Sequence, residues 1–397
     1  MRTVYFCTER EFPRGDAGAN RILHMAKALQ MQNWDTKVIS LGHAKPEHWN
    51  NSLQCYLYQD VKYSVFPDYF AGKIGRIIRR LNSGRKCVEF LKQNKIGEND
   101  VVIVYSSSYG FCKPIYKYVH SDTKSQIIFD VVEWHQPFQF NTLSTRYIYK
   151  SFNKCFTELY PANRKVIVIS ELLKQHFAGC GCEVLKYPIY ITPDTSCAKG
   201  SGVQGKLQLI YPGNPYQKDS LLTMLEGLDL LNRNEKNKVV LHLTGTRKTV
   251  LYMSIPGNEK MLEKLIAEGV VRIHEWMEYD ELMKLYDSID FAYIARPDNI
   301  VTQANFPSKV PELLNRGIPP IITNVGDISE YLTDGYDSIV MKDCTKESCV
   351  YAIRQCLKMN AAEISQFHLN AKNSAQNVFD FKKHAQEISD FLYAIKS

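Results

Sequence analysis

No stretch of the 397-residue chain is apolar for long enough to cross a bilayer: VVIVY at 101–105 and KVIVIS at 165–170 fall far short of the roughly 18–20 residues a spanning helix needs. A transmembrane helix is excluded on that ground. The opening residues, MRTVYFCTEREFPRGD, turn charged too soon for the apolar core of a secretory signal and read instead as a first strand. The 11 cysteines are odd in number and scattered; Cys180-Gly-Cys182 is the one close pair, without the spaced Cys/His set of a zinc site. Reduced thiols in a cytoplasmic protein follow. Low-complexity segments and short-period repeats are missing as well. Charge of one sign is scarce in excess: 49 Lys and Arg against 42 Asp and Glu leave +7, a bias that suits anionic partners but carries no nucleic-acid motif.

What is present is length and rhythm. A chain of this size, 45% hydrophobic, exceeds one ordinary core and suits two globular domains. Short apolar strands alternate with helical patterns: RTVYFCT, then ANRILHMAKALQMQ with Ile22, Met25, Ala26 and Leu29 at helical spacing, then TKVISLG, DVVIVYSSS, SQIIFDVVEW and KVIVIS. Apolar runs of this kind joined by helices indicate parallel strands buried on both faces. Periodicity stops at 191–205, where Pro, Gly and Ser collect, and this segment reads as a linker. The rhythm restarts with LQLIYPG, VVLHLTG, VVRIHEW, DFAYIA, PPIITN and SIVM. The reading is therefore two Rossmann-like, doubly wound α/β domains facing a cleft, residues 1–190 and 206–377, with a C-terminal helix in 378–397 packing back toward the first domain. Ligands are expected at the carboxyl ends of strands.

Three loops carry candidate chemistry. FPRGDAGANRI opens a helix after the first strand, and its Gly18 and Ala19 amides are placed to meet an anion. The pattern is not a complete G-x-G-x-x-G, and no acid follows at the end of the second strand, which disfavours a dinucleotide dehydrogenase. In YPGNPYQKDS, Gly213 and Asn214 end a buried strand and Lys218 precedes a helix, an arrangement able to neutralise a diphosphate. Gly245, in HLTG, is a further strand end open to a ligand. In NFPSKVPELLNRGIPPI, a Ser308 cap would leave Pro311 in the tolerated first turn and Gly317 as the terminating left-handed residue. Glu312 then lies one turn inside, suited to accept ribose hydroxyls, with Asn305 and the Ser308 and Lys309 amides near phosphate oxygens; it reads equally as an acid that stabilises its own helix dipole.

With these segments the chain resembles the family-four glycosyltransferases of GT-B architecture, retaining enzymes that move a sugar from a nucleotide diphosphate-sugar. The resemblance spans GDAGANRI, KVIVIS, YPGNPYQKD and FPSKVPELLNRGIPPIIT with Gly326. It implies that Glu312 is the second acid of the family's two-glutamate signature, holding the nucleotide ribose, and that Lys218 is the phosphate-binding lysine. Two positions depart. Ala304 stands where the first glutamate contacts the transferred sugar, leaving Gln303, Asn305 or Asp298 to supply polar contacts, and Asn214 stands where the family often has arginine. The sequence contains no D-x-D motif, so a metal-dependent diphosphate clamp has no support: neither a metal nor any other cofactor is expected, the nucleotide-sugar being a co-substrate.

The acceptor-side candidate is IIFDVVEWHQPFQF, where Asp130, Glu133 and His135 gather at a strand end; Glu133 and His135 are the expected catalytic pair. Many family members place a histidine directly before the acid; here that position is Val132. The stretch 73–86, with Ile74, Ile77, Ile78 and Leu81 at helical spacing among Lys73, Arg76, Arg79, Arg80, Arg85 and Lys86, suits a helix lying on the anionic inner face of a membrane, although Gly75 and Asn82-Ser83-Gly84 argue against one long helix. The expected function is hexosyl transfer to a hydroxyl of a glycan or lipid-linked acceptor, in cell-surface polysaccharide or glycoconjugate synthesis. The alternatives are a nucleotide-sugar epimerase, a phosphorylase of similar shape, or a non-catalytic nucleotide-sugar-binding protein.

Overall fold

The computed structural model describes residues 2–393 apart from 14–15, 67–71, 199, 201–204, 214, 216–217 and 276, and gives the backbone alone for 72–81, Ser144 and Tyr279. The chain divides into two units, residues 1–190 with 381–397, and residues 191–380.

The first unit is built on nine strands: β1 (Thr3–Thr8), β2 (Asp35–Leu41), β3 (Trp49–Asn50), β4 (Cys55–Tyr58), β5 (Val61–Phe66), β6 (Val101–Tyr105), β7 (Gln126–Val131), β8 (Lys165–Val168) and β9 (Glu183–Lys186). Their order is β3-β4-β5-β2-β1-β6-β7-β8-β9. Among them β3–β4 and β4–β5 pair antiparallel and the other neighbours pair parallel. Parallel pairing follows from composition, since β6 (VVIVY) is buried from end to end, as a strand covered on both faces must be. Helix Ala17–Met31 joins β1 to β2, its buried Ile22, Met25, Ala26 and Leu29 facing the core. Helix Ala385–Tyr393 belongs to this unit: it packs on Ala17–Met31 through Ile388 and Leu392, and Trp34 Nε1 donates to Ser389 Oγ at 2.9 Å.

A single helix, Gly72–Gln93, runs straight through Asn82-Ser83-Gly84. The glycine that seemed a breaker is instead a packing device. A Cβ on Gly84 would stand 2.5 Å from the Phe111 carbonyl oxygen, so only glycine lets this helix approach helix Tyr109–Tyr118. Arg85 is exposed and Lys86 half-buried, while the side chains of 73–81 lie outside the described residues.

The second unit is a six-stranded sheet of β10 (Leu207–Pro212), β11 (Val239–Thr244), β12 (Val271–His274), β13 (Phe291–Ile294), β14 (Pro320–Thr323) and β15 (Ile339–Met341). The order is β12-β11-β10-β13-β14-β15, with parallel pairing throughout. Its core comes from apolar strand residues such as Leu209, Leu241 and Phe291 packed against Met224, Leu225 and Ile353 of the covering helices. The described part of 191–205 is packed onto this unit. Ile191 bridges Asp380, Asp194 N donates to Asn315 Oδ1 at 2.9 Å, and Ala198 N donates to Arg316 O at 2.6 Å. Gly317 is left-handed at φ 74° and closes helix Lys309–Asn315, with Ile318 N donating to Leu313 O at 2.9 Å. Among the described residues no helix is long and apolar enough to cross a membrane.

Candidate functional site

In each sheet the chain winds outward from a central strand and then returns on that strand's other side. The carboxyl ends at such a reversal leave a crevice that is the ordinary ligand site of an open α/β sheet. In the second unit the reversal lies between β10 and β13.

There, two left-handed glycines form a floor of bare backbone. Gly213 (φ 82°) follows β10 and Gly245 (φ 67°) follows β11; a Cβ on Gly245 would stand 3.5 Å from Gly213 Cα. Gly213 N donates to Thr244 O at 3.0 Å, tying the two turns together. Lys309 reaches over this floor: its Nζ lies 5.1 Å from the centre of the Tyr211 ring, and its Cε would be 3.8 Å from a Cβ on Gly213. Lys309 Nζ donates to Asp219 Oδ2 at 3.0 Å, and Arg296 Nε donates to the other oxygen, Oδ1, at 2.7 Å. Arg296 Nη1 also donates to Asn305 Oδ1 at 2.9 Å. Two cations therefore share one carboxylate, leaving one positive charge in excess beside a surface where backbone can approach a ligand closely. Lys218 stands next to Asp219 in the chain and is half-buried.

The Asp219 side chain is only 8% exposed. Burial pushes its carboxyl up, but Arg296 and Lys309 outweigh burial and hold it below the ordinary value. A carboxylate depressed in the folded state contributes stability that is complete above its unfolded value, about 3.9, and is lost as pH falls through the lower folded value. Acid unfolding of Asp219→Asn, followed by circular dichroism, is therefore expected to show a shallower loss of stability below about pH 4 than the parent.

Glu312 is exposed on helix Lys309–Asn315, three residues beyond Lys309 and thus on the same face. It faces Tyr286, whose phenol is pushed up to about 12 by burial first and by the Glu312 charge second. Ser308 is not the expected cap: its backbone is helical (φ −58°, ψ −24°), its side chain makes no capping bond, and the turn closes through Val310 N donating to Pro307 O at 3.0 Å. Ala304 is 0% exposed, buried at the end of helix Ile300–Gln303, so no side chain at that position reaches a ligand without opening the core. Gln303 Nε2 donates to Asp298 Oδ1 at 2.6 Å, and Asn305 is engaged by Arg296. Asn214 lies outside the described residues. Gly213, Gly245, Asn305 and Lys309 are thus brought together around Asp219. Arg296 escaped the sequence reading, although a cation directly after the apolar strand FAYIA was its signal.

Gly18 belongs to the first unit and is held otherwise than expected. The Ala19 amide donates to Asp16 Oδ1 at 2.8 Å, so a carboxylate already occupies that helix terminus. A Cβ on Gly18 would stand 2.9 Å from Tyr105 Cε1, which makes the glycine a close-packing residue.

The reversal in the first unit lies between β1 and β6, and a cavity of about 490 Å³ opens there. Glu9 follows β1 on its wall, accepting from Ser83 Oγ at 2.8 Å and from Ser106 Oγ at 2.9 Å. Glu133 and His135 line the same cavity, with His135 Nε2 3.3 Å from Glu133 Oε2. The imidazole stacks on Phe152 at 4.5 Å between centroids. Asp130, read beside them as a titratable candidate, is committed to structure: Arg21 Nε and Nη2 donate to its two oxygens at 2.8 and 2.7 Å. The cavity wall thus combines carboxylates, hydroxyls and aromatic rings, which are the groups that hold a polyhydroxylated molecule.

Residues 198–376 match the family of glycosyl transferases group 1. No curated protein matches the chain. Among solved structures, HepE of Anabaena in complex with UDP and glucose is similar at 14% identity and TM-score 0.67, with 99% of this chain and 100% of that one covered. Sucrose-phosphate synthase of Thermosynechococcus elongatus is similar at 12% identity and TM-score 0.71, covering 99% and 98%. OtsA in its apo structure gives 12% and 0.71, covering 100% of both chains. At such identities the likeness shows the fold, which is GT-B.

Proposed function

We propose that this chain, whose residues 198–376 match the glycosyl transferases of group 1, moves a sugar from a nucleotide diphosphate-sugar to a hydroxyl of a glycan or lipid-linked acceptor. The observation that carries the donor half is the Arg296–Asp219–Lys309 cluster over the Gly213 and Gly245 turns. Its excess positive charge, with Lys218, receives the diphosphate, and Glu312 accepts the ribose hydroxyls. As the glycosidic bond breaks, negative charge grows on the leaving diphosphate, and preorganised cations stabilise that charge more than they stabilise the ground state. In this reading side-chain cations carry the neutralisation and no metal takes part. Retention at the anomeric carbon and a place in polysaccharide or glycoconjugate synthesis complete it.

The first-unit cavity takes the acceptor, with His135 placed to receive the proton of the attacking hydroxyl and Glu133 holding the imidazole from 3.3 Å. His135→Ala and Glu133→Ala are each expected to lower transfer by about 100-fold while nucleoside diphosphate affinity stays at the parent value. Parental rates in both variants would reduce the pair to a packing role.

A panel of nucleoside diphosphates and nucleotide-sugars, read as a thermal shift, tests the donor assignment, because a ligand bound only by the folded state raises apparent stability by mass action. At least one member is expected to raise Tm in proportion to the logarithm of its concentration. Glu312→Ala and Lys218→Ala should each weaken that response about tenfold in ligand concentration. A flat response across the panel defeats the donor assignment.

A further inference from the structure

Helix Leu143–Lys154, which lies beside the first-unit cavity, has two unlike faces. Phe152 points inward, lines the cavity and stacks on His135 at 4.5 Å. The opposite face carries Leu143, 85% exposed, and Tyr147, 68% exposed, together with Arg146, Lys150 and Lys154. At 100° per residue these five side chains fall within about one third of the helix circumference. In the turn just before the helix, Phe138 is 59% exposed. From Trp134 to Thr157 the sequence contains no acidic residue. A solvated helix face ordinarily mixes charge signs and hides its large apolar residues.

We propose that this face docks the protein on an anionic lipid bilayer, with Leu143, Tyr147 and Phe138 entering the interface and Arg146, Lys150 and Lys154 meeting headgroup phosphates. The chemistry is that of an interfacial helix: apolar side chains supply the area, an aromatic ring settles at headgroup depth, and each nearby cation adds attraction to the anionic surface. Lys154 also sits 4.8 Å from the Tyr109 ring centre and 3.9 Å from Glu158, at the edge of the patch, so Arg146 and Lys150 carry more of the charge. Complementary charge favours an anionic bilayer over a second copy of this chain, since two copies would bring cations against cations. Because one helix bears the docking face and walls the cavity, docking sets the cavity at the membrane surface. Of the two acceptor classes above it selects the lipid-linked one; that selection rests on the cavity being the acceptor site, whereas the docking itself does not.

Flotation of the full-length protein with vesicles tests the proposal. The protein is expected to float with phosphatidylcholine–phosphatidylglycerol vesicles at low salt, to float far less with phosphatidylcholine alone, and to be released as salt rises. Leu143→Ser/Tyr147→Ser and, separately, Lys150→Glu should each lower the partition at least tenfold; one cation near the surface is worth about fivefold, and charge reversal adds repulsion to the lost attraction. These side chains are exposed, so the variants should keep the parental thermal shift with a nucleoside diphosphate, which reports on the second unit. Failure of the parent to float, or equal flotation of parent and variants, overturns the proposal. So does concentration-dependent self-association of the parent, seen without vesicles and abolished by Leu143→Ser/Tyr147→Ser, because the face would then pair copies. If the thermal shift is flat but flotation follows the stated pattern, the donor assignment fails and the docking surface stands.

Discussion

Arg296→Ala is expected to weaken nucleoside diphosphate binding by about 100-fold and to lower kcat/KM by at least as much. The direct loss is one charge-assisted contact, worth about 1.5–3 kcal/mol, or roughly 10- to 150-fold. A second loss comes through Asp219. In the parent, Arg296 holds one oxygen of that buried carboxylate and Lys309 the other, which leaves one positive charge in excess. Without Arg296 the carboxylate has Lys309 as its remaining cation of the pair, the excess falls to zero, and Lys309 is drawn toward Asp219. One substitution thus silences two cations. Arg296→Lys keeps the charge but not the planar fork that spans Asp219 and Asn305, and should fall between parent and alanine variant. Titration calorimetry with the best nucleoside diphosphate of the thermal panel gives the affinities. An Arg296→Ala protein that folds and binds as tightly as the parent would move the diphosphate out of this crevice.

How much of this was legible without coordinates differs between the units. In the second unit the strands lie in largely apolar runs, from LQLIYPG to SIVM, and the pattern suffices because most of these strands are buried on both faces; the edge strand β12 (VRIH), with Arg272 exposed, is the exception. In the first unit β3, β4 and β5 were not read. Their residues, WN, CYLY and VKYSVF, mix polar and apolar positions because they form the antiparallel edge and the strand beside it. The β4–β5 turn carries no glycine: Gln59 and Asp60 take φ of 47° and 68°, a conformation that the usual Asn-Gly signal would have announced.

The site divides in the same way. Gly213, Lys309 and Glu312 were singled out from the sequence because strand ends and helix starts are where backbone and charge can meet a ligand, and local spacing reveals such positions. Arg296 and Asp219 were not, since their meaning lies in a pairing across 77 residues. Gly18 was read on the same local ground. A glycine at a helix start reads as an opening for an anion; the carboxylate that caps this terminus, Asp16, stands two residues before it in the sequence, but the ring that crowds it, Tyr105, becomes visible only when the strands are assembled.

Arg21→Met is expected to destabilise the first unit by about 3–5 kcal/mol, a large fraction of the 5–15 kcal/mol typical of a domain. The Arg21 and Asp130 side chains are 2% and 1% exposed. Their two parallel hydrogen bonds, at 2.8 and 2.7 Å, form a bidentate pair that a lysine ammonium cannot reproduce. Arg21 Nη1 also donates to the Tyr187 and Pro188 carbonyls at 2.6 and 2.9 Å, so one guanidinium binds helix Ala17–Met31, the end of β7 and the last residues before the chain leaves this unit. Its removal strands a buried carboxylate and two carbonyls at once. Arg21→Met/Asp130→Leu should recover only part of the loss: the buried charge is gone, but the two carbonyls still lack their donor. Urea unfolding followed through tryptophan fluorescence resolves these cases, because Trp34, Trp49 and Trp134 lie in the first unit. A double variant no more stable than Arg21→Met would mean that the carbonyl contacts, and not the ion pair, dominate. An Arg21→Met midpoint equal to the parent's would show that water enters and solvates Asp130.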